Sequence, residues 1–264
     1  MDIQSRNLTI PRGSVLVAKY LPGTQTPGPF REFGNCPEFT FNRESETVPH
    51  YGSRQGLRVL DEEIPIQTTL ASTVTMDDMK MENQAYFWMG DVDTITVTPL
   101  TNQTATFTDV KAGDLFQLGM SDANPSGHRN VTTVVVTDGA ASSPQTWALG
   151  TDYILDETLG TIYVPAGSDA VGEDLKVTFG VAASTREQIV SGETQFECAI
   201  KFISDNPVGP NRDVIIPRAR LSPNGDFSLI LDPESTEFQT MSLSISVLKK
   251  GNLALAIVDG RPVA

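Results

Sequence analysis

Between residues 39 and 66 the chain reads as two long strands that carry charge on both faces, and this limits where the segment can lie. The first strand is 39–47, the tip is 49–56, and the return 57–66 runs on into a threonine-rich strand. Arg43, Glu44, Glu46, His50, Arg54, Arg58, Asp61, Glu62 and Glu63, with Tyr51 at the tip, are spread along it. Successive strand residues point to opposite faces, so the adjacent pair Glu62 and Glu63 puts a carboxylate on each. Neither face can enter a core without leaving charges unpaired. The hairpin is therefore an arm, and two readings stay open: mixed charge guarding a solvated sheet edge, or a surface shared with a partner.

Short runs of Val, Ile, Thr and Phe, broken by Gly, Pro, Asn and Asp, recur from end to end and predict a mainly β fold, a barrel or sandwich. The clearest run is 238–248, where Met241, Leu243, Ile245 and Val247 alternate with Ser242, Ser244 and Ser246. Phe196, Cys198, Ile200 and Phe202 alternate likewise, and 227–231 reads as a further strand after the turn Ser222-Pro-Asn-Gly225. Residues 190–262 thus predict four or five antiparallel strands. One flanking helix is expected over 76–89, with Thr75 as N-cap, Asp77 and Asp78 in the first turn and Gly90 just past the end. Met79, Asn83, Tyr86 and Phe87 share a face, which suits packing on a sheet better than holding a cofactor.

From 95 to 185 the character shifts. Ten acids (Asp109, Asp114, Asp122, Asp138, Asp152, Asp156, Glu157, Asp169, Glu173, Asp174) face three bases (Lys111, Arg129, Lys176), a net of 7 negative. Strands are expected at 131–136, 153–155, 160–164 and 175–179. We read 95–185 as an inserted acidic β module, interrupting a core built from 1–94 and 186–264.

The whole chain has 33 acidic and 19 basic residues, net charge -14, a field that repels nucleic acid phosphates. Cys36 and Cys198 show no metal-ligand or disulfide-framework spacing and read as small core residues in a reducing compartment. The N-terminus has no signal-peptide pattern and no run of 18 apolar residues occurs, so cytoplasmic synthesis without a membrane span is expected. With only His50 and His128, a catalytic triad or histidine zinc site has almost no material, and no phosphate-binding glycine loop appears. Neither a metal nor a cofactor is expected, and a structural role gains by elimination.

The order of elements then becomes informative. Gly34-Asn-Cys-Pro-Glu-Phe-Thr-Phe41 enters a charged arm and a threonine-rich strand returns. One helix ends in Trp-Met-Gly90, and a late meander follows Gly209-Pro-Asn-Arg-Asp-Val-Ile-Ile-Pro217. This order resembles the major tail tube proteins of long-tailed, siphovirus-like bacteriophages, and Trp147-Ala-Leu-Gly-Thr-Asp-Tyr-Ile-Leu-Asp-Glu-Thr-Leu-Gly-Thr-Ile-Tyr163 resembles a segment common in phage tail proteins. The resemblance implies a structural virion protein, made in the host bacterial cytoplasm, whose six copies close into a ring. Rings stack into a hollow tube through which DNA passes without specific binding. It further implies that the arm packs on a neighbouring subunit or ring, and that the partners are the chain itself, a tape measure protein, a tail terminator and a distal tail protein. Two polar strand faces are candidates for the lumen wall: Gln67, Thr69, Ala71 and Thr73 on one strand, Ser242, Ser244 and Ser246 on another. The inserted module leaves two alternatives: a virion decoration or adhesin binding host glycan or receptor through 95–185, or a glycosidase using a pair among Asp152, Asp156 and Glu157.

Overall fold

The computed structural model describes residues 8–52 and 56–261. In chain order the elements are β1 (Gly13–Lys19), β2 (Arg31–Glu32), β3 (Glu38–Gly52), β4 (Val59–Met76), the helix α1 (Met81–Phe87), β5 (Asp91–Val97), β6 (Leu100–Phe107), β7 (Leu115–Gln117), β8 (Val131–Thr137), β9 (Ile154–Asp156), β10 (Thr161–Tyr163), β11 (Leu175–Val181), β12 (Ser184–Val190), β13 (Phe196–Ser204), β14 (Arg212–Pro223), β15 (Met241–Val247) and β16 (Ile257–Gly260). The protein is mainly β with one helix, and the named pairings are antiparallel. Two compact units form, one from Met1–Asp93 with Ile189–Ala264 and one from Thr94–Gln188.

The first unit is built on one eight-stranded sheet, ordered β2-β1-β13-β14-β15-β4-β3, with β16 paired to the start of β14. Alternation explains its two faces. Met241, Leu243 and Ile245 of β15 are buried together with Val74 and Met76 of β4, Leu221 and Ala219 of β14, and Ile200 of β13. The sheet curls around this core: the rings of Phe39 on β3 and Phe202 on β13 lie 5.7 Å apart although three strands separate theirs in the sheet order. Right-handed strand twist accumulated over eight strands produces such coiling. The curl brings Gly13 and Val15 of β1 and Glu38, Phe39 and Thr40 of β3 around one cavity of about 500 Å³. Among the described residues no sheet closes on itself, so barrel closure is not a property of one copy.

The helix is shorter than 76–89, and its start moves for a definite reason. Met76 is the last residue of β4, fully buried and paired with Met241, while the Thr75 hydroxyl is hydrogen-bonded to that of Ser242 at 2.8 Å instead of capping an amide. Asp77 is held by Asn35, whose side-chain amide donates to its carboxylate at 2.6 Å, and Asp78 by Lys80. Sheet pairing outcompetes the local helix-start signal here. At the far end Met89, not Gly90, takes the left-handed backbone position, with φ 50°. Gly90 is required by crowding instead, since a Cβ there would sit 1.9 Å from the Val190 carbonyl oxygen. Asn83, which interrupts the apolar helix face, is fully buried: its amide donates to the carbonyls of Phe33 (2.7 Å) and Asp78 (2.8 Å) and its oxygen accepts from Arg31 (3.1 Å).

One expected strand is absent. Residues 227–231 lie in an irregular connection between β14 and β15 that pairs with nothing among the described residues. In the second unit two three-stranded sheets, β6-β11-β8 and β7-β10-β9, enclose Leu118, Val136, Trp147, Ile162, Leu175, Val177 and Phe179. The strands there coincide with those expected at 131–136, 153–155, 160–164 and 175–179 to within one or two residues.

Candidate functional site

The arm is the extended part of the β3/β4 hairpin. Pairing runs unbroken in direction from Glu38 opposite Thr75 to Gly52 opposite Val59, with irregularities between Glu46 and Thr47 and between His50 and Tyr51. On its other side β4 is paired to β15 only over Ala71 to Met76. Beyond that point the ribbon has two strands and two open edges, and Arg43 to Gly52 alone extend roughly 30 Å at the rise of a strand. From Arg43 to Thr69 every described residue is exposed except Thr47 and Gly52, which are half-buried.

Within one copy the arm's charges are only loosely tied. His50 Nδ1 lies 3.5 Å from an Asp61 carboxylate oxygen, Glu63 accepts from the Thr47 hydroxyl, and Glu44 accepts from Asn42 at 2.8 Å. The Arg58 guanidinium stacks 4.0 Å over the Tyr51 ring. Among the described residues no ion pair joins Arg43 or Arg58 to Glu44, Glu46, Glu62 or Glu63. Arg54 falls outside the described residues.

The arm also carries apolar side chains that the count of its charges concealed. Val48 is 49% exposed, Leu60 52%, Ile64 50% and Ile66 59%. Val48 sits opposite Ile64, and Tyr51 opposite Leu60, so apolar pairs face solvent on a ribbon that has no layer beneath it among the described residues. A two-stranded hairpin of this kind is marginal in water on its own. The alternation of Ile64 and Ile66 was the available signal in the sequence.

The second surface is the face of the sheet opposite the core. The two candidate lumen strands are neighbours: Ser242 is paired with Thr75, Ser244 with Thr73 and Ser246 with Ala71. Paired residues of an antiparallel ladder share a face. That face continues on β3, where Thr40 opposes Thr73, Asn42 Ala71, Glu44 Thr69 and Glu46 Gln67, and on β14, where Ser222 opposes Ser244 and Arg220 opposes Ser246. It is a field of small hydroxyls. On β3, β13 and β14 its charges include Glu38, Glu44, Glu46 and Glu197 against Lys201, Arg218 and Arg220, four carboxylates to three cations. Arg218 binds Glu197 through two nitrogens at 3.0 and 2.8 Å and Arg220 adds a contact at 3.1 Å. Arg218's hydrogen bonds hold the Glu197 carboxyl below the usual carboxylate range.

Of the three acids named for glycoside chemistry, Asp152 and Asp156 serve turns. Both Asp152 carboxylate oxygens accept from backbone amides, of Ala148 at 2.8 Å and Asp169 at 3.3 Å, and Asp156 accepts from the Leu159 amide at 2.9 Å. Among the described residues no cluster of three His, Cys, Asp or Glu could hold a metal ion. Burial pushes both thiols up to about 12, at Cys198 inside the core and at Cys36 with the nearby acids Asp77 and Glu32 assisting.

A family model described as Protein of unknown function UCP028589 matches residues 8–254. The chain belongs to this family. The matched span takes in both units, the arm and the hydroxyl face. No curated protein matches the chain.

Proposed function

We propose that the chain is the subunit of the tail tube of a long-tailed bacteriophage. Copies close into rings, six to a ring in the tube family it resembles, and rings stack into a hollow conduit for DNA. The arm carries this reading: a ribbon with open edges and exposed Val48, Leu60, Ile64 and Ile66 gains its stability from a neighbour. The curled but open sheet fits the same picture, because joining the sheets of successive copies removes edges that one copy leaves bare. Its hydroxyl face suits the lumen. Phosphate contacts dominate non-specific DNA affinity, and a wall with more carboxylates than cations and mostly serine and threonine gives a sliding duplex little to hold. The chain would reside in the virion tail as a structural subunit and not an enzyme, with tape measure, terminator and distal tail proteins as partners. Deleting residues 49–56 tests the arm: the variant should sediment as a folded single subunit and fail to polymerise, and normal tubes from it would remove the arm as the connector.

A further inference from the structure

The loop from Asn224 to Thr240, between β14 and β15, presents the two most exposed large apolar side chains among the described residues, Ile230 at 90% and Phe238 at 87%, with Leu229 beside them at 72%. The loop is nonetheless anchored. Phe227 packs on the rings of Phe87 (5.2 Å) and Trp88 (6.5 Å), Gln239 donates to the Ser228 carbonyl, and the Asp232 carboxylate accepts from the Glu234 amide at 2.9 Å. It is thus held as a knob whose tip is left uncovered by the described residues of its own copy, and its Phe-Ser-Leu-Ile-Leu stretch has a strand's alternation with no partner strand among them. Its charge is one-sided: Asp226, Asp232, Glu234 and Glu237, with no Lys or Arg between 226 and 240.

A complementary surface lies on the same unit, at the base of the arm. A groove of about 680 Å³ runs between Leu70 and Ala71 of β4 and the segment Val247, Leu248, Leu253 and Leu255. A second, of about 460 Å³, adjoins it through Leu70, Ala254 and Leu255 and is closed by Phe41, Val214 and Val258. These volumes fall in the range of about 300–1,000 Å³ typical of sites that enclose drug-sized ligands. The charged residues lining them are Lys249 in the first and Arg43 in the second, with no acid in either, against a chain of net charge -14.

We propose that the 224–240 loop of one copy docks into the groove beside the arm base of a second copy, Leu229, Ile230 and Phe238 entering the apolar floor and Glu234 and Glu237 facing Arg43 and Lys249. Knob and groove are different surfaces, so the contact is head-to-tail: each copy gives one and receives one, and the contacts either close into a ring or propagate. The apolar tip supplies affinity while the charges select orientation. This inference rests on the self-assembly reading and names the surfaces that would carry it.

In a Cys36→Ser background, where Cys198 stays buried in the core, two variants that each add one accessible cysteine, Ile230→Cys and Leu253→Cys, are mixed, assembled and oxidised, so that a disulfide between positions 230 and 253 can form only between copies. A heterodimer band exceeding that of either variant alone is the expected result. In parallel, E234K/E237K should raise the concentration needed for assembly at least about tenfold, and adding R43E/K249E should restore it. If wild-type protein assembles but the assembled cysteine variants form no 230–253 link or link 230 to 230 instead, or if E234K/E237K assembles at unchanged concentration, the docking is overturned and the tube reading stands. Wild-type protein that never assembles would overturn both.

Discussion

Replacing Val48, Leu60, Ile64 and Ile66 by serine separates an arm that serves its own copy from one that serves a neighbour. In one copy these side chains are 49%, 52%, 50% and 59% exposed, so about half of each still awaits burial. Full burial of such a side chain contributes about 1.5–3 kcal/mol, which leaves about 1 kcal/mol each for a partner to recover and about 4 kcal/mol for the four. That corresponds to roughly a thousandfold weaker association per contact. The isolated subunit should barely respond, because substitutions at exposed positions usually stay within about ±0.5 kcal/mol each. Sedimentation velocity over a concentration series reads the association, and thermal unfolding of dilute protein reads the subunit. A melting temperature that collapses while association persists would place these side chains in the copy's own core, and unchanged association would refute the partner argument outright.

Other outcomes follow from the same geometry. Ile245→Asp should unfold the first unit by placing an unpaired carboxylate at a fully buried position, while Ser244→Asp on the opposite face should fold normally by circular dichroism; equal damage would mean that the hydroxyl face is itself buried. Asn83→Ala should cost about 2–4 kcal/mol in denaturant unfolding, since it leaves the Phe33 carbonyl and an Arg31 nitrogen without their partner; a loss below about 1 kcal/mol would deny the buried amide that role. Glu197 and Asp213 both titrate below their ordinary range in the folded protein, Glu197 through Arg218 and Asp213 through Arg261. Their stabilisation is therefore present above the unfolded carboxyl values of 4.5 and 3.8 and lost as pH falls through the lower folded ones. Glu197→Gln should flatten part of the acid limb of a stability-against-pH curve, and an unaltered limb would contradict the pairing.

Much of this was legible in the residues, and the failures have physical causes. Serine alternating with Met241, Leu243 and Ile245 marked β15 because a half-buried strand imposes a period of two. The arm was legible from charge on both faces. Its apolar residues were harder to see, because a few exposed valines and isoleucines look ordinary until the pairing shows that nothing lies behind them. Thr75, Asp77 and Asp78 signal a helix start locally, and only the distant strand β15 overrides them. Residues 227–231 show the reverse error: alternation reports what a segment could pair with, not whether a partner strand exists. The curl that brings Phe39 to Phe202, and the meeting of the two candidate lumen strands on one face, are products of pairing between distant segments that no local pattern encodes.

The central claim is self-assembly into a hollow tube, and negative-stain electron microscopy of the purified protein across a concentration series tests it most directly. Rings at low concentration giving way to hollow tubes at high concentration are the predicted result. Discrete single subunits at every concentration, above all if the same protein binds cell-surface polysaccharide, would contradict it and move the function to recognition by the Thr94–Gln188 unit.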